Sequence, residues 1–291
     1  MALAANAAYA TNHPGLDLDT LSCHFLAAPV AQKPFDLRVQ RLADSGRFCS
    51  RVVELLQEGK VKVHVTCSFV RSAAMTGRAM AHAVTRWSGQ RLGGEKGMTL
   101  DDLEVERTDR GPYMRFQRLP LLSLASSNQQ QPPAPETLLY TSAAQIQPLS
   151  TSANRSPHLP TLALVALSDY HILDCPPTVH GLSAGTPRIN DNTRTPTASN
   201  FTFMTSLNHS IRFHNVGDWD AAGLVYVEAW CPWTGGRRGQ VESRIFSAEG
   251  GRLLASCVQE AYFVMKDGEG GERGWVMEEG EEVGRGERSK L

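Results

Sequence analysis

No run of about 18 apolar residues occurs in this chain, so no membrane-spanning helix is expected. The N-terminus, Met1-Ala2-Leu3-Ala4-Ala5-Asn6-Ala7, is small and apolar, but it lacks the basic n-region and long h-region of a secretory signal. Basic excess is missing as well. The net charge is -1, and no zinc-finger or RNA-recognition motif is present, so no nucleic-acid partner is expected. Cysteines stand at 23, 49, 67, 175, 231 and 257 without forming a Cys-x-x-Cys pair, which indicates neither a zinc site nor a redox couple. They read as small core residues of a compartment without structural disulfides. His171, His209 and His214 have no recognisable metal-ligand spacing. The expectation is therefore no metal and no cofactor.

What is present is a repeated pattern of strands. The chain has 291 residues, enough for two domains, and 41% of them are hydrophobic. In the first half Phe35–Leu42 and Arg47–Gln57 are extended runs separated by Ala43-Asp44-Ser45-Gly46. Glu58-Gly59-Lys60 then turns into Val61–Phe69, where Val61, Val63, Val65, Cys67 and Phe69 alternate with polar residues. Such alternation predicts a half-buried antiparallel strand. The second half repeats the theme with Leu224–Ala229, a turn at Trp233-Thr234-Gly235-Gly236, Gln240–Ser247, a turn at Glu249-Gly250-Gly251, and Arg252–Met265. Ser50-Arg51-Val52-Val53 resembles Ser243-Arg244-Ile245-Phe246, as a duplicated domain would.

Each meander follows an apolar helical candidate. In the second half this is Pro160 to Tyr170, apolar nearly all round and so expected to be buried. In the first half it is Ala2 to Tyr9. The fold class expected is α+β, with antiparallel sheets each wrapped on a buried helix. Residues 1–118 are taken as the N-terminal domain and 137–265 as the C-terminal one. Between them 119–136 reads as a polar, Pro-rich linker, and Ser183–Ser199 reads as a surface insertion. The acidic, Gly-rich stretch 266–291 reads as a disordered tail. It ends in Ser289-Lys290-Leu291, the tripeptide address read by the peroxisomal import receptor. That receptor is the expected partner and the peroxisomal matrix the expected location.

Three segments carry a family likeness: Leu167-Ser168-Asp169-Tyr170, Ser206-Leu207-Asn208-His209-Ser210 with Phe213-His214, and Ala255-Ser256-Cys257-Val258-Gln259-Glu260. Pro232-Trp233-Thr234-Gly235-Gly236 and, in the first half, Cys23-His24-Phe25-Leu26 add to it. Together they resemble the type II acyl-CoA thioesterases, bacterial and peroxisomal. The resemblance implies a double hotdog fold, an acyl-CoA substrate, association into homo-oligomers, and hydrolysis of fatty acyl-CoA to free acid and coenzyme A. It also implies that Asp169, Ser206 and Gln259 hold the hydrolytic water. Two departures stand out. Asn208 occupies a position where the family usually has Asp, which would remove a charge beside the site. The sequence also opens inside the helix that the resemblance implies, and the expectation is a first hotdog short of an edge strand.

The chemistry suits those residue types. Coenzyme A leaves as a thiolate, and free thiols have a pKa of about 8.5, so departure needs little acid help. What remains is to hold a water beside a base: a carboxylate for the base, with a hydroxyl and an amide to fix the water without adding charge. Gln259 shares strand parity with Cys257, Ala261 and Phe263, an otherwise apolar face. Two other readings use the same residues. One is a hotdog enoyl-CoA hydratase working through Asp169 and His171. The other is a degenerate, non-catalytic CoA-binding protein.

Overall fold

The computed structural model of the chain describes residues 1–71, 80, 82, 84, 86, 100–103, 107–110, 114–124, 133–146, 157–186, 198–214, 223–248 and 251–266. The first half opens with helix α1 (Ala2–Tyr9), rich in alanine, the residue that pays least to become helical. Strands β1 (Leu16–Phe25), β2 (Asp36–Asp44), β3 (Phe48–Gln57) and β4 (Lys60–Arg71) follow. The second half has helix α2 (Leu159–Ser168), the short helix α3 (Cys175–Val179), and strands β9 (Phe201–Phe213), β10 (Leu224–Gly235), β11 (Arg238–Ser247) and β12 (Leu253–Met265). Between the halves lie β5 (Arg107–Arg110), β6 (Met114–Arg118), β7 (Leu122–Ser123) and β8 (Leu138–Ile146).

Each half is a helix followed by a meander of the same order, β2-β3-β4-β1 in the first and β10-β11-β12-β9 in the second. The two join edge to edge where β1 runs antiparallel to β9 from Thr20↔Arg212 to His24↔Asn208. The expected pair of sheets is thus one continuous antiparallel sheet, ordered β2-β3-β4-β1-β9-β12-β11-β10-β8-β6-β5, with β7 against β8. Both helices pack on its inner face and touch each other, and a single apolar core runs through both halves. Within it Tyr9 at the end of α1 stacks on His158 at the start of α2, with ring centroids 3.7 Å apart. Helix α2 is apolar on nearly every side because it is enclosed: Ala163, Leu164, Val165 and Leu167 are all buried.

The domain boundary expected at residue 118 does not follow the strand pairing. β5 and β6 extend the second half, with β6 lying along β8 (Phe116↔Ala144) and β5 along β6. The start of the expected linker is also sheet, since Leu122 pairs with Leu139. Pairing between segments this far from the meander leaves no local pattern. Of the rest of that linker, 125–132 lies outside the described residues, as does 267–291 with Ser289, Lys290 and Leu291, while Pro135–Thr137 forms a single 3-10 turn.

The apparent match of Ser50–Val53 with Ser243–Phe246 is three residues out of step. Arg51 is fully buried and pairs with Cys67, which pairs with Leu21. The register breaks of the two meanders fall in matching places, at Leu55/Leu56 and Ile245/Phe246 and at Leu18/Thr20 and Ser206/Asn208. Superposing them makes the corresponding inward path Val241, Gln259 and His209, whereas Arg244 sits on the opposite, half-buried side. Side chains alternate faces along a strand, so a slip by an odd number of residues moves every side chain to the other side. In the correct register Cys67 of β4 answers to Gln259 of β12. Ala10, the C-terminal boundary residue of α1, answers to Asp169, which bounds α2. Cys67 is fully buried, and the next inward residue, Phe69, meets Tyr9 edge to face at 5.0 Å, so this spot in the first half is apolar.

Candidate active site

Asp169, Ser206 and Gln259 come from three elements and meet. The end of α2 carries Asp169 with its carboxylate at the negative end of the helix dipole, an unfavourable place that requires a donor nearby. Gln259 supplies it. Its Nε2 donates to Asp169 Oδ1 at 2.6 Å and to Ser206 Oγ at 2.8 Å. The amide is 1% exposed and faces inward with Cys257 and Ala261, as strand parity predicted. Asp169 and Ser206 are half-buried, so the charged and hydroxyl ends of the trio keep an opening toward solvent.

Ser206 reaches this face through a break in register. Inward residues of β9 are odd-numbered from His209 to Phe213. Between Asn208↔Glu260 and Ser206↔Ala261 the pairing skips a residue. A bulge of this kind re-aims a side chain, and here it turns an even-numbered serine inward beside Gln259. Asn208, on the far side of the bulge, points the other way and donates to Glu260 Oε2 at 2.9 Å. The expectation that Asn208 alters charge beside the site is therefore corrected: it belongs to the outer face of the sheet.

His171 is not available to Asp169. Its backbone takes the left-handed conformation, φ 57°, just beyond α2. Its Nε2 lies 2.9 Å from Asp109 Oδ2 and its Nδ1 3.2 Å from Asp174 Oδ2, all three residues being buried. Tyr170 also donates to Asp109 Oδ2 at 3.0 Å, and Phe116 of β6 stacks on the His171 ring at 5.2 Å. This cluster pins the segment after Asp169 to β5 and β6. The Asp169–His171 pair that a hydratase would need is not formed. His214 is likewise engaged elsewhere, its Nε2 3.0 Å from Ser256 Oγ.

The first half also reaches the site. Cys23 of β1 pairs across the seam with His209, which pairs in turn with Gln259. Burial pushes the Cys23 thiol up to about 12, and the Asp169 carboxylate pushes it the same way. Cys257, two residues from Gln259, is pushed up to about 12, again mainly by burial. Neither forms appreciable thiolate near neutral pH, so neither is a nucleophile. All six cysteines are buried and free. Among the described residues no group of three or more His, Cys, Asp or Glu is arranged to hold a metal ion, and no helix is long and apolar enough to cross a membrane.

His209 is the residue whose place the sequence did not convey. It is completely buried, its Nε2 lies 3.0 Å from Ser168 Oγ, and Ser168 also donates to the Val165 carbonyl at 3.0 Å. Burial pushes its pKa down, against the opposing pull of the Asp169 charge and the Gln259 side chain.

Two models of one protein family match the chain: the acyl-CoA thioesterase N-terminal domain over residues 1–70 and the acyl-CoA thioesterase C-terminal domain over residues 99–263. No curated protein matches. Among solved structures the chain is similar to the acyl-CoA thioesterase II TesB2 of Mycobacterium marinum, with 20% identity, 92% of this chain and 89% of that one covered, and a TM-score of 0.65. It is similar to a tesB protein of Mycobacterium avium subsp. paratuberculosis at 15% identity, covering 90% and 84%, with a TM-score of 0.59. A hot dog fold protein of Alicyclobacillus acidocaldarius matches at 15% identity, covering 90% and 85%, with a TM-score of 0.54. At these identities the structures speak for the fold.

Proposed function

Since the chain belongs to the acyl-CoA thioesterase family and is a thioester hydrolase of acyl-CoA, we propose that it works through a water held by Asp169, Ser206 and Gln259, on fatty acyl-CoA in the peroxisomal matrix. The observation that carries the residue assignment is the bridging amide of Gln259, which ties Asp169 Oδ1 and Ser206 Oγ into one unit. Both amide hydrogens are used in that bridge. The second carboxylate oxygen of Asp169 and the hydroxyl hydrogen of Ser206 then remain to hold a water by acceptance and donation.

The steps follow from this arrangement. Asp169 removes a proton as the water oxygen bonds to the thioester carbonyl carbon. The tetrahedral intermediate collapses, the C–S bond breaks, and the sulfur departs with the electron pair as coenzyme A thiolate. The proton held by Asp169 returns to the sulfur or to solvent, leaving a carboxylic acid and the thiol. The buried cysteines stay out of the reaction because their thiols are protonated.

The test is a panel of fatty acyl-CoAs with a thiol reagent reporting free coenzyme A. Wild type releases thiol, and Gln259→Ala lowers kcat by roughly 10²-fold, the scale of loss when a reacting group is displaced by about 1 Å. Undiminished release by Gln259→Ala would remove the trio from the mechanism. The location rests on Ser289-Lys290-Leu291. A fluorescent protein fused ahead of Met1 should co-localise with a peroxisomal marker, and deleting Leu291 should leave it in the cytosol. Cytosolic fluorescence with the tripeptide intact would overturn this part.

A further inference from the structure

The Gln259 side chain works only one way round. Its two amide hydrogens meet Asp169 and Ser206. Rotated by half a turn about its last bond, the amide would face the Asp169 carboxylate with its own oxygen, and the bridge would become repulsive. That terminal torsion is intrinsically close to two-fold, so the setting is held only by the Asp169 carboxylate unless a donor to Oε1 reinforces it.

His209 is placed to reinforce it. It stands directly opposite Gln259 in the β9–β12 pairing and is fully buried. Two atoms of this facing pair, His209 Nδ1 and Gln259 Oε1, are buried and meet no partner in hydrogen-bond geometry among the described residues. Gln259 nonetheless acts on the imidazole through side-chain hydrogen bonding, in the direction that favours a proton on the ring. The remaining ring nitrogen, Nε2, is engaged by Ser168 Oγ.

Proton accounting decides the tautomer. With hydrogen on Nε2, the ring donates to Ser168, Ser168 donates to the Val165 carbonyl, and Nδ1 and Oε1 remain two buried acceptors with no donor between them. With hydrogen on Nδ1, the Ser168 hydroxyl turns its one hydrogen from the Val165 carbonyl to Nε2, Nδ1–H donates to Oε1, and no side-chain atom in the set is left unsatisfied. Buried polar groups are paired wherever geometry allows, so the second arrangement wins. It forms a closed loop with one sense: Ser168 to His209, His209 to Gln259, Gln259 to Asp169, and Asp169 covalently next to Ser168.

We infer that His209 is a positioning residue, donating from Nδ1 to Gln259 Oε1 and so fixing the amide with its N–H groups toward Asp169 and Ser206. It touches neither water nor substrate. The inference rests on the trio assigned above, and its test separates the two. Asparagine places its amide donor near the position of Nδ1, glutamine near that of Nε2. The variants are therefore His209→Leu, His209→Asn, His209→Gln, Gln259→Ala and the double variant His209→Leu/Gln259→Ala. Each is assayed for kcat and KM by thiol release, with near-ultraviolet circular dichroism and thermal melting to establish folding.

Expected are a kcat about tenfold or more below wild type for His209→Leu at little-changed KM, recovery in His209→Asn but not in His209→Gln, and no further loss in the double variant relative to Gln259→Ala. If His209→Leu does not fold, the contrast between His209→Asn and His209→Gln carries the decision. Wild-type kcat in His209→Leu, equal recovery by Asn and Gln, or an equal fractional loss with and without Gln259 would each overturn the role. Should Gln259→Ala itself turn over like wild type, the trio falls and this inference falls with it.

Discussion

Asp169→Asn is expected to lower kcat for acyl-CoA hydrolysis by about 10²–10⁴-fold, with KM and the melting midpoint close to wild type. Asparagine has the same shape and keeps a carbonyl oxygen where Asp169 Oδ1 accepts from Gln259. The local hydrogen bonding therefore survives, and the fold loses little. What disappears is basicity: an amide cannot take the proton of the attacking water. Removing the charge also relieves the unfavourable contact with the negative end of α2, so the melting midpoint holds or rises slightly. The measurement is a steady-state thiol-release assay beside a thermal melt. Equal turnover in the two proteins would exclude Asp169 as the base.

Arg51→Met is expected to do the opposite, costing about 3 kcal/mol of stability and leaving turnover per folded molecule unchanged. The Arg51 guanidinium is fully buried in the first half, and each of its N–H groups is used. Nε donates to Thr11 Oγ1 at 3.0 Å. Nη1 donates to the carbonyls of Ala43 at 3.2 Å and Ser50 at 2.9 Å. Nη2 donates to the Thr11 carbonyl at 3.2 Å and to Asp44 Oδ1 at 2.6 Å. One side chain thus joins the residue after α1 to the β2–β3 hairpin, at the point where that hairpin breaks register between Arg41 and Ala43. Methionine fills the volume of the stem and satisfies none of the acceptors. The three carbonyls carry most of the expected cost, because Asp44 is solvent-accessible. Its carboxyl, held below the ordinary range chiefly by the hydrogen bond from Arg51, returns toward that range in the variant. Urea denaturation at constant m-value measures the loss. An unchanged midpoint would show that water replaces the guanidinium without penalty.

These two residues also mark how far the sequence could be read. The alternation from Val61 to Phe69, the all-apolar helix before Asp169 and the inward parity of Gln259 are local periodicities, and the structure has β4, α2 and β12 in those places. The order of the site motifs was legible in the same way. Ser206 was identified by its motif, but the bulge that turns it inward was not, because a bulge is a relation between two strands. The same relation sends Asn208 outward. Arg51 looked like one member of a repeated Ser-Arg pair and proved to be out of step with it, since the likeness of letters carried no information about facing. β5 and β6 were assigned to the wrong half because their partner, β8, follows them in the chain. His209 was seen only as one of several histidines. Its significance lies in two atoms left without partners, which no sequence pattern records.

The spot in the first half that answers to the Asp169–Gln259 pair holds Ala10 and Cys67, neither a carboxylate nor an amide. On the assignment proposed for Asp169, Ser206 and Gln259, a fold made twice carries one turnover centre among the described residues. An assembly of n chains then has n such centres rather than 2n, and a tight-binding titrant of the site counts chains directly. Division of labour follows from the same fact. On that assignment the second copy does the chemistry, while the first contributes part of the shared apolar core and the Cys23 strand against which the working copy is held.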